Sequence, residues 1–345
     1  MGQLSFIDAD NRLAALSKQG DPLEAIGRLV PWEEFRVEIE AVVLTADADK
    51  KSTAGRKPID ALVLLRMLVL QSLYNLSDAQ AEYQVRDRLS FTRFLELGIE
   101  DRIPDGTTLW LFREKLSKAG LIEKLFAQFG RHLEAKGYIA RGGQMVDATI
   151  VPVPRQRNSR EDNETVKAGK PPAEWGKKPA QNRQKDKDAR WTKKHNKSFF
   201  GYKNHVNADA KHKLIRGYDV SDASVHDSQK LDGLLNKANR SADVFADSAY
   251  RSAETEARLK ARGFRSRIHV RATRNHPLSQ RQEEANRKKS QVRVRIEHVF
   301  GAQETSAGSR LVRTIGMVRA RVKIGLQNLV YNIRRLVTLE RMAAV

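Results

Sequence analysis

The sequence predicts a mixed α/β core preceded by an all-helical region, and three observations carry that prediction. Apolar residues between positions 59 and 119 recur at helical spacing and are punctuated by cap and turn signals. From Gly142 the pattern changes to the period-two alternation of a strand. Farther on, residues 243–300 read as short strand, helix, short strand and long capped helix, the order of an α/β unit.

At 345 residues the chain is long for a single domain, so two or three structural units are expected. Sixty-three Lys and Arg against 42 Asp and Glu give a net charge of +21, a field that favours a polyanionic partner. Nucleic acid fits better than a membrane, because no run of about 18 uncharged apolar residues is present. The N-terminus also lacks the basic-then-apolar order of a secretory signal. The expectation is a soluble, cytoplasmic protein. With no cysteine, disulfides, thiolate zinc sites and thiol catalysis are excluded, leaving carboxylates and histidines as metal ligands.

Residues 59–74 (IDALVLLRMLVLQSLY) are apolar on nearly every face, which predicts a helix buried on all sides. Ser77 and Gln80 form a capping-box signature for the next helix, and Phe91, Phe94, Leu95 and Leu97 mark another short one. After the turn residues Pro104, Asp105 and Gly106, a further helix is expected over 108–119. Helices this short could place one member in a DNA major groove as a helix-turn-helix; plain packing or dimerisation fits the spacing equally well. The expected helical N-terminal domain is 1–140, serving DNA-end binding or dimerisation.

In GGQMVDATIVPV, Met145, Asp147, Thr149 and Val151 share one strand face, so Asp147 lies inside a strand, where aspartate is depleted. Residues 155–198 are rich in Lys, Arg, Asn, Gln and Pro and nearly devoid of aliphatics, which predicts a flexible basic insertion. Such a segment suits phosphate contact or simple solvation. Strands at 199–208 and 214–220 form a hairpin or meander, and a helix follows from 228. ADVFADSAY gives a short strand running to Asp247; a helix at 253–262 and a strand at 265–270 come next. Ser279 and Gln282 open a long helix expected to run to Phe300 and stop at Gly301, with Val292, Ile296 and Val299 as its buried stripe and Glu297 beside it. Val322, Leu326, Leu329, Ile333 and Leu336 define a last amphipathic helix. The core is thus expected at 141–301, and a C-terminal helical segment at 302–345.

Asp147, Asp247 and Glu297 are the candidate acids, each with an ordinary alternative. Asp247 could cap the turn after its strand, and Glu297 could pair with Arg293 one helical turn earlier. If the two strands are neighbours and the helix packs across them, the three carboxylates meet at one sheet edge and suit hard cations. Two such ions about 4 Å apart would serve in-line phosphodiester displacement.

The segments GRKPIDALVLLRMLVLQSLYNLSDAQAEYQ, VDATIVPVPRQRN, KSFFGYKNHVNAD, VHDSQ, VFADSAYRS and RVRIEHVFGA occur in this order across most of the chain. In this the sequence resembles the bacterial insertion-sequence transposases with an Asp-Asp-Glu catalytic core, closest to the insertion-sequence-five family. The resemblance implies a ribonuclease-H-like core with a mixed five-stranded sheet flanked by helices. Asp147, Asp247 and Glu297 become the catalytic, metal-holding acids, with Mg²⁺ as cofactor, Mn²⁺ as substitute, and two ions. Implied too are binding of inverted-repeat ends and target DNA, strand cleavage and transfer, a homodimer or larger assembly on the double-stranded DNA, and a place on the bacterial nucleoid. Arg293 matches the arginine of the family's tyrosine, arginine, glutamate and lysine series, whereas Ser290 and Glu304 replace the tyrosine and lysine. Lys288, Lys289, Arg293, Arg295 and Lys203 are the DNA-contact candidates. His226 and Asp227 are accessory candidates, Asp227 either capping the next helix or neighbouring the metals. A decayed, DNA-binding repressor and a nuclease of the same fold are the competing readings.

Overall fold

The structure is a computed structural model that describes residues 6–44, 58–170, 172–194, 196–273, 276–306 and 312–344. Two compact units emerge, one from the chain up to His132 together with Leu329 onward, the other from Leu133–Thr305 and the chain up to Asn328. Gly55, Arg56 and Lys57, which open the first of the resemblance segments, lie outside the described residues.

The first unit contains α1 (Phe6–Lys18), α2 (Pro22–Leu29), α3 (Arg36–Val43), α4 (Ala61–Tyr74), α5 (Asp78–Asp87), α6 (Leu89–Phe94), α7 (Gly106–Lys118) and α8 (Leu121–Ala135). Helix α4 is the all-round apolar segment, and Leu64, Leu65, Met67, Leu68, Val69 and Leu70 are all buried. Asp60 caps its start and Asn75 ends it in the left-handed conformation that Asn tolerates. The one charge inside it, Arg66, reaches Glu96 at 2.7 Å and stacks over Trp32. Ser77 and Gln80 close the expected capping box on α5. Asp78, at the start of α5, takes both terminal nitrogens of Arg113 from α7 at 2.7 Å, which ties the two helices together.

In the second unit, β1 (Gln144–Pro152) is followed by α9 (Arg160–Lys167), α10 (Ala173–Gly176), α11 (Pro179–Asn182), β2 (Arg190–Lys194), β3 (Lys197–Asp209) and β4 (Ile215–Asp222). Then come α12 (Leu231–Leu234), β5 (Asp243–Phe245), α13 (Ala253–Ala261), β6 (Arg265–Ser266), α14 (Gln280–Arg293), α15 (Arg295–Ser306) and α16 (Met317–Ala343), which continues into the first unit. The strand order of the sheet is β2-β3-β1-β5-β6, and β4 pairs with β3 off this path. β1 runs antiparallel to β3 and β3 to β4, while β1–β5 and β5–β6 are parallel. The expected mixed sheet is present, but it has six strands instead of five, because β2 pairs with Lys197–Gly201 of β3. One face packs Val146, Val244, Ala246 and Ile268 against α12 and α13. The other surrounds Val151, Tyr202 and Val220 with Ala320 and Ile324 of α16.

Four further expectations are corrected. Residues 155–198 are not featureless: they form three short helices and β2, and bury Val166, Trp175, Asp186 and Ala189. Asp186 supplies what the composition conceals, accepting hydrogen bonds from Tyr202 Oη and the backbone N–H groups of Asp188, Ala189 and Gly316. The strand expected over 265–270 pairs only at Arg265 and Ser266. The helix expected from 228 is a 3-10 turn, Asp227–Lys230, leading into four-residue α12. The long helix from Ser279 breaks at Val294, and Gly301 lies within α15 instead of ending it. Helix α14 buries no residue, whereas Ile296, Val299 and Phe300 of α15 are buried. A break between a solvated helix and an amphipathic one lets each face its own surroundings.

Candidate active site

Asp147 and Asp247 are brought together by strand register. Parallel β1 and β5 pair Gln144 with Val244 and Met145 with Phe245; the same register carried two residues on sets Asp247 level with Asp147. The spacing of one hundred residues between the acids is therefore the offset of the strand pair. Asp147 is the fourth of the nine residues of β1, and Asp247 lies two residues past the end of β5, the carboxyl end at which open α/β sheets place their ligand crevices. Gly143 makes the close approach possible. At φ +94°, an added Cβ would stand 2.9 Å from the Asp243 carbonyl oxygen and 2.8 Å from the Phe245 ring.

Asp147 Oδ1 accepts from the Ala148 N–H at 2.8 Å, and Oδ2 faces Arg293 Nη1 at 3.3 Å. Burial pushes its carboxyl up to about 6; the Ala148 N–H and the charge of Arg293 pull the other way without restoring the ordinary value. The same Arg293 nitrogen lies 3.8 Å from Glu297 Oε1, so one guanidinium from the end of α14 spans the first and third acids. Glu297 itself is exposed in the first turn of α15. Asp247 caps the 3-10 turn after β5, its Oδ1 accepting from the Ala249 N–H at 2.7 Å. Its ordinary role and its place beside Asp147 are thus both real.

The accessory residues divide differently from the expectation. His226, not Asp227, caps the 3-10 turn, because its Nδ1 accepts from the Ser228 N–H. Asp227 instead meets Lys203 Nζ at 2.9 Å, so Lys203 is engaged by an acid and by the Val225 carbonyl at 2.7 Å. Arg295 donates to the Ala210 carbonyl at 3.0 Å, and Lys289 to the Ile268 carbonyl at 2.9 Å. Lys288 is exposed on α14. Ser290, in the position of the family tyrosine, lies 3.2 Å from His269 Nε2.

Sequence reasoning passed over Tyr250. Its ring is fully buried and its hydroxyl has no hydrogen-bond partner. Burial raises its phenol well above the ordinary value, and the charges of Asp147, Asp227 and Asp247 add to the effect. Three acids from β1, the β4–α12 connection and the end of β5 therefore share one neighbourhood. The only signal in the sequence was its place three residues after Asp247. His205, buried on β3 and hydrogen-bonded to Ser221 Oγ at 2.8 Å, was also missed; burial lowers its imidazole to about 4, which keeps it neutral.

Carboxylate oxygens suit a hard divalent cation. Asp147 is a half-buried acid whose desolvation its neighbours only partly offset, and Arg293 presents a cation to Asp147 and Glu297 together. In chemistry and strand register the acids fit such an ion. As they stand, no three His, Asp or Glu side chains among the described residues are gathered into a metal-holding group.

Residues 11–115 match the family described as Transposase domain (DUF772). Piggybac transposase, solved by cryo-EM as a synaptic complex with hairpin DNA, is similar over 93% of this chain and 73% of that chain, with 11% identity and a TM-score of 0.43. Residues 140–333, more than half of the chain and including all three acids, match the family described as Transposase DDE domain. The chain belongs to the transposase DDE domain family.

Proposed function

We propose that this protein is a DNA transposase of the insertion-sequence-five kind, which binds the inverted-repeat ends of its element, cuts them, and joins the freed 3′ hydroxyl to target DNA. The observation that supports this most is the parallel register that sets Asp147 level with Asp247, with Arg293 reaching from Asp147 toward Glu297. Asp147, Asp247 and Glu297 would hold Mg²⁺, or Mn²⁺ in its place, as two ions. When bound, the metal polarises the phosphoryl oxygen and offsets the charge that builds up during displacement.

The chain's own residues do the rest. Arg293 holds the Asp147 carboxylate in place, and Lys203 does the same for Asp227. Lys288 is free to meet a phosphate from the exposed side of α14, and such contacts position DNA without reading its sequence. Joining two ends calls for two active sites, which favours a homodimer or larger assembly on double-stranded DNA. No helix among the described residues is long and apolar enough to cross a membrane, and the setting proposed is the bacterial cytoplasm, on the nucleoid.

The test is end cleavage by the full chain with Mg²⁺, using DNA that carries the inverted repeats flanking the gene. Asp147→Asn, Asp247→Asn and Glu297→Gln are each expected to lose cleavage while still binding the ends. Undiminished cleavage by all three variants would sink the assignment.

A further inference from the structure

A second cluster of charge lies beside the acids, and it is cationic. Arg251, four residues past Asp247, donates through Nη1 to the Ile268 carbonyl at 3.2 Å. Lys289 of α14 donates to that same oxygen at 2.9 Å. A single neutral carbonyl thus draws two cationic heads from separate elements to one point. A carbonyl dipole offsets little of two like charges held this close.

The acid nearest to them is insufficient. Glu256 Oε1 lies 3.5 Å from Arg251 Nε and is already hydrogen-bonded by Ser266 Oγ at 2.9 Å. Arg267, which also bears on Lys289, spends its own charge on Asp243 at 2.9 Å. Burial above all, with the charges of Arg251 and Arg267, lowers the Lys289 ammonium against the opposite pull of Glu256. Both heads remain reachable, since Arg251 keeps 35% of its side-chain surface open and Lys289 is half-buried.

Position gives the cluster its meaning. Lys289 stands one helical turn, about 6 Å, before Arg293, the residue that meets Asp147. Arg251 ends the turn that Asp247 begins. An anion received between Arg251 and Lys289 would therefore lie next to the candidate acids rather than on them.

We propose that Arg251 and Lys289 form a phosphodiester-binding site that holds a DNA backbone phosphate neighbouring the one to be cut. It rests on the proposed function for the identity of the polymer and goes beyond it by naming a contact outside the acids. A guanidinium and an ammonium converging on one point suit a phosphate, which accepts from both at once. The shared carbonyl holds the two heads together when no phosphate is present.

The experiment measures binding of the full chain to a short fluorescent duplex in EDTA over a range of KCl concentrations. Cleavage is silent under these conditions, so the readout is independent of the metal. Arg251→Gln with Lys289→Gln should weaken binding at every sequence tested and reduce the slope of log affinity against log salt by about 0.9 for the lost phosphate. Arg251→Lys with Lys289→Arg should keep the slope, and circular dichroism melting verifies that each variant is folded. Arg258→Gln is the control, because Arg258 is already paired with Asp232 at 2.9 Å. A folded double-glutamine variant with the wild-type slope, or one no weaker than Arg258→Gln, overturns the site while leaving the transposase reading intact. Failure of the wild-type chain to bind DNA at all overturns both.

Discussion

Asp147 is where the chemistry proposed for this protein works against its stability. Its carboxyl, ordinarily near 3.8, is pushed to about 6 by burial, so the folded state keeps the proton to higher pH than the unfolded chain does. The sign follows directly. Folding is favoured fully below the unfolded value, and that advantage is lost as pH rises through the folded value, leaving an ionised and poorly solvated acid at neutral pH. Removing the charge should therefore help the fold. Asp147→Asn is expected to be more stable than wild type by about 1–3 kcal/mol at about pH 7.5 in EDTA, with the difference closing near about pH 4. Urea denaturation at the two pH values measures it, and a less stable variant at the higher pH would show that Arg293 compensates Asp147 in full. Tyr250 belongs to the same pattern: a buried hydroxyl without a partner, ringed by three acids, is a cost that a purely structural core would have avoided.

Among the elements, the pairing of β1 with β5 matters most, because it alone sets the two aspartates level. Only two residue pairs hold it in register, and Gly143 lies immediately before the first of them. A side chain at Gly143 would adopt a left-handed backbone and press on Asp243 and Phe245 at less than 3 Å. Gly143→Ala should cost about 1–3 kcal/mol in stability. It should also reduce cleavage more than DNA binding, since the strands that carry the acids are pushed apart while the basic surface is untouched. Equal loss of both, measured on folded protein, would mean that the register is not what the site depends on. Which elements could be read from the sequence follows from this same locality. The caps at Ser77 and Ser279, the all-apolar α4 and the strand through Asp147 are short-range patterns, and each appears where it was expected. The order of α15 and its break from α14 were not legible, because α14 has no buried face to reveal where its partner begins. The folding of residues 155–198 was hidden for a different reason: Asp186 organises it through contacts with Tyr202 and Gly316, distant in sequence. The hundred-residue spacing of the acids was visible, but its meaning as a parallel register needed the sheet.

At the scale of the whole molecule, charge and acids make opposite demands on one polymer. The chain carries 63 Lys and Arg and its candidate site is built on carboxylates, so the proposed function would require it to hold a polyanion close to groups that repel it. Arg293 lies between Asp147 and Glu297, with the Arg251–Lys289 pair beside them, an interleaving of cations with acids that would make that approach possible. Under the proposed function most of the attraction would nevertheless come from the net charge of +21, which is spread over the chain and carries no sequence information. Binding to arbitrary duplex DNA should accordingly be strong at low salt and independent of divalent metal. If about six phosphates are neutralised, affinity should fall roughly a thousandfold between about 50 and 200 mM salt. Fluorescence anisotropy with a duplex that lacks the inverted repeat measures this. A shallow salt dependence would place the recognition in base contacts of the helical N-terminal unit instead of in the charge, and would make the basic surface incidental to DNA capture.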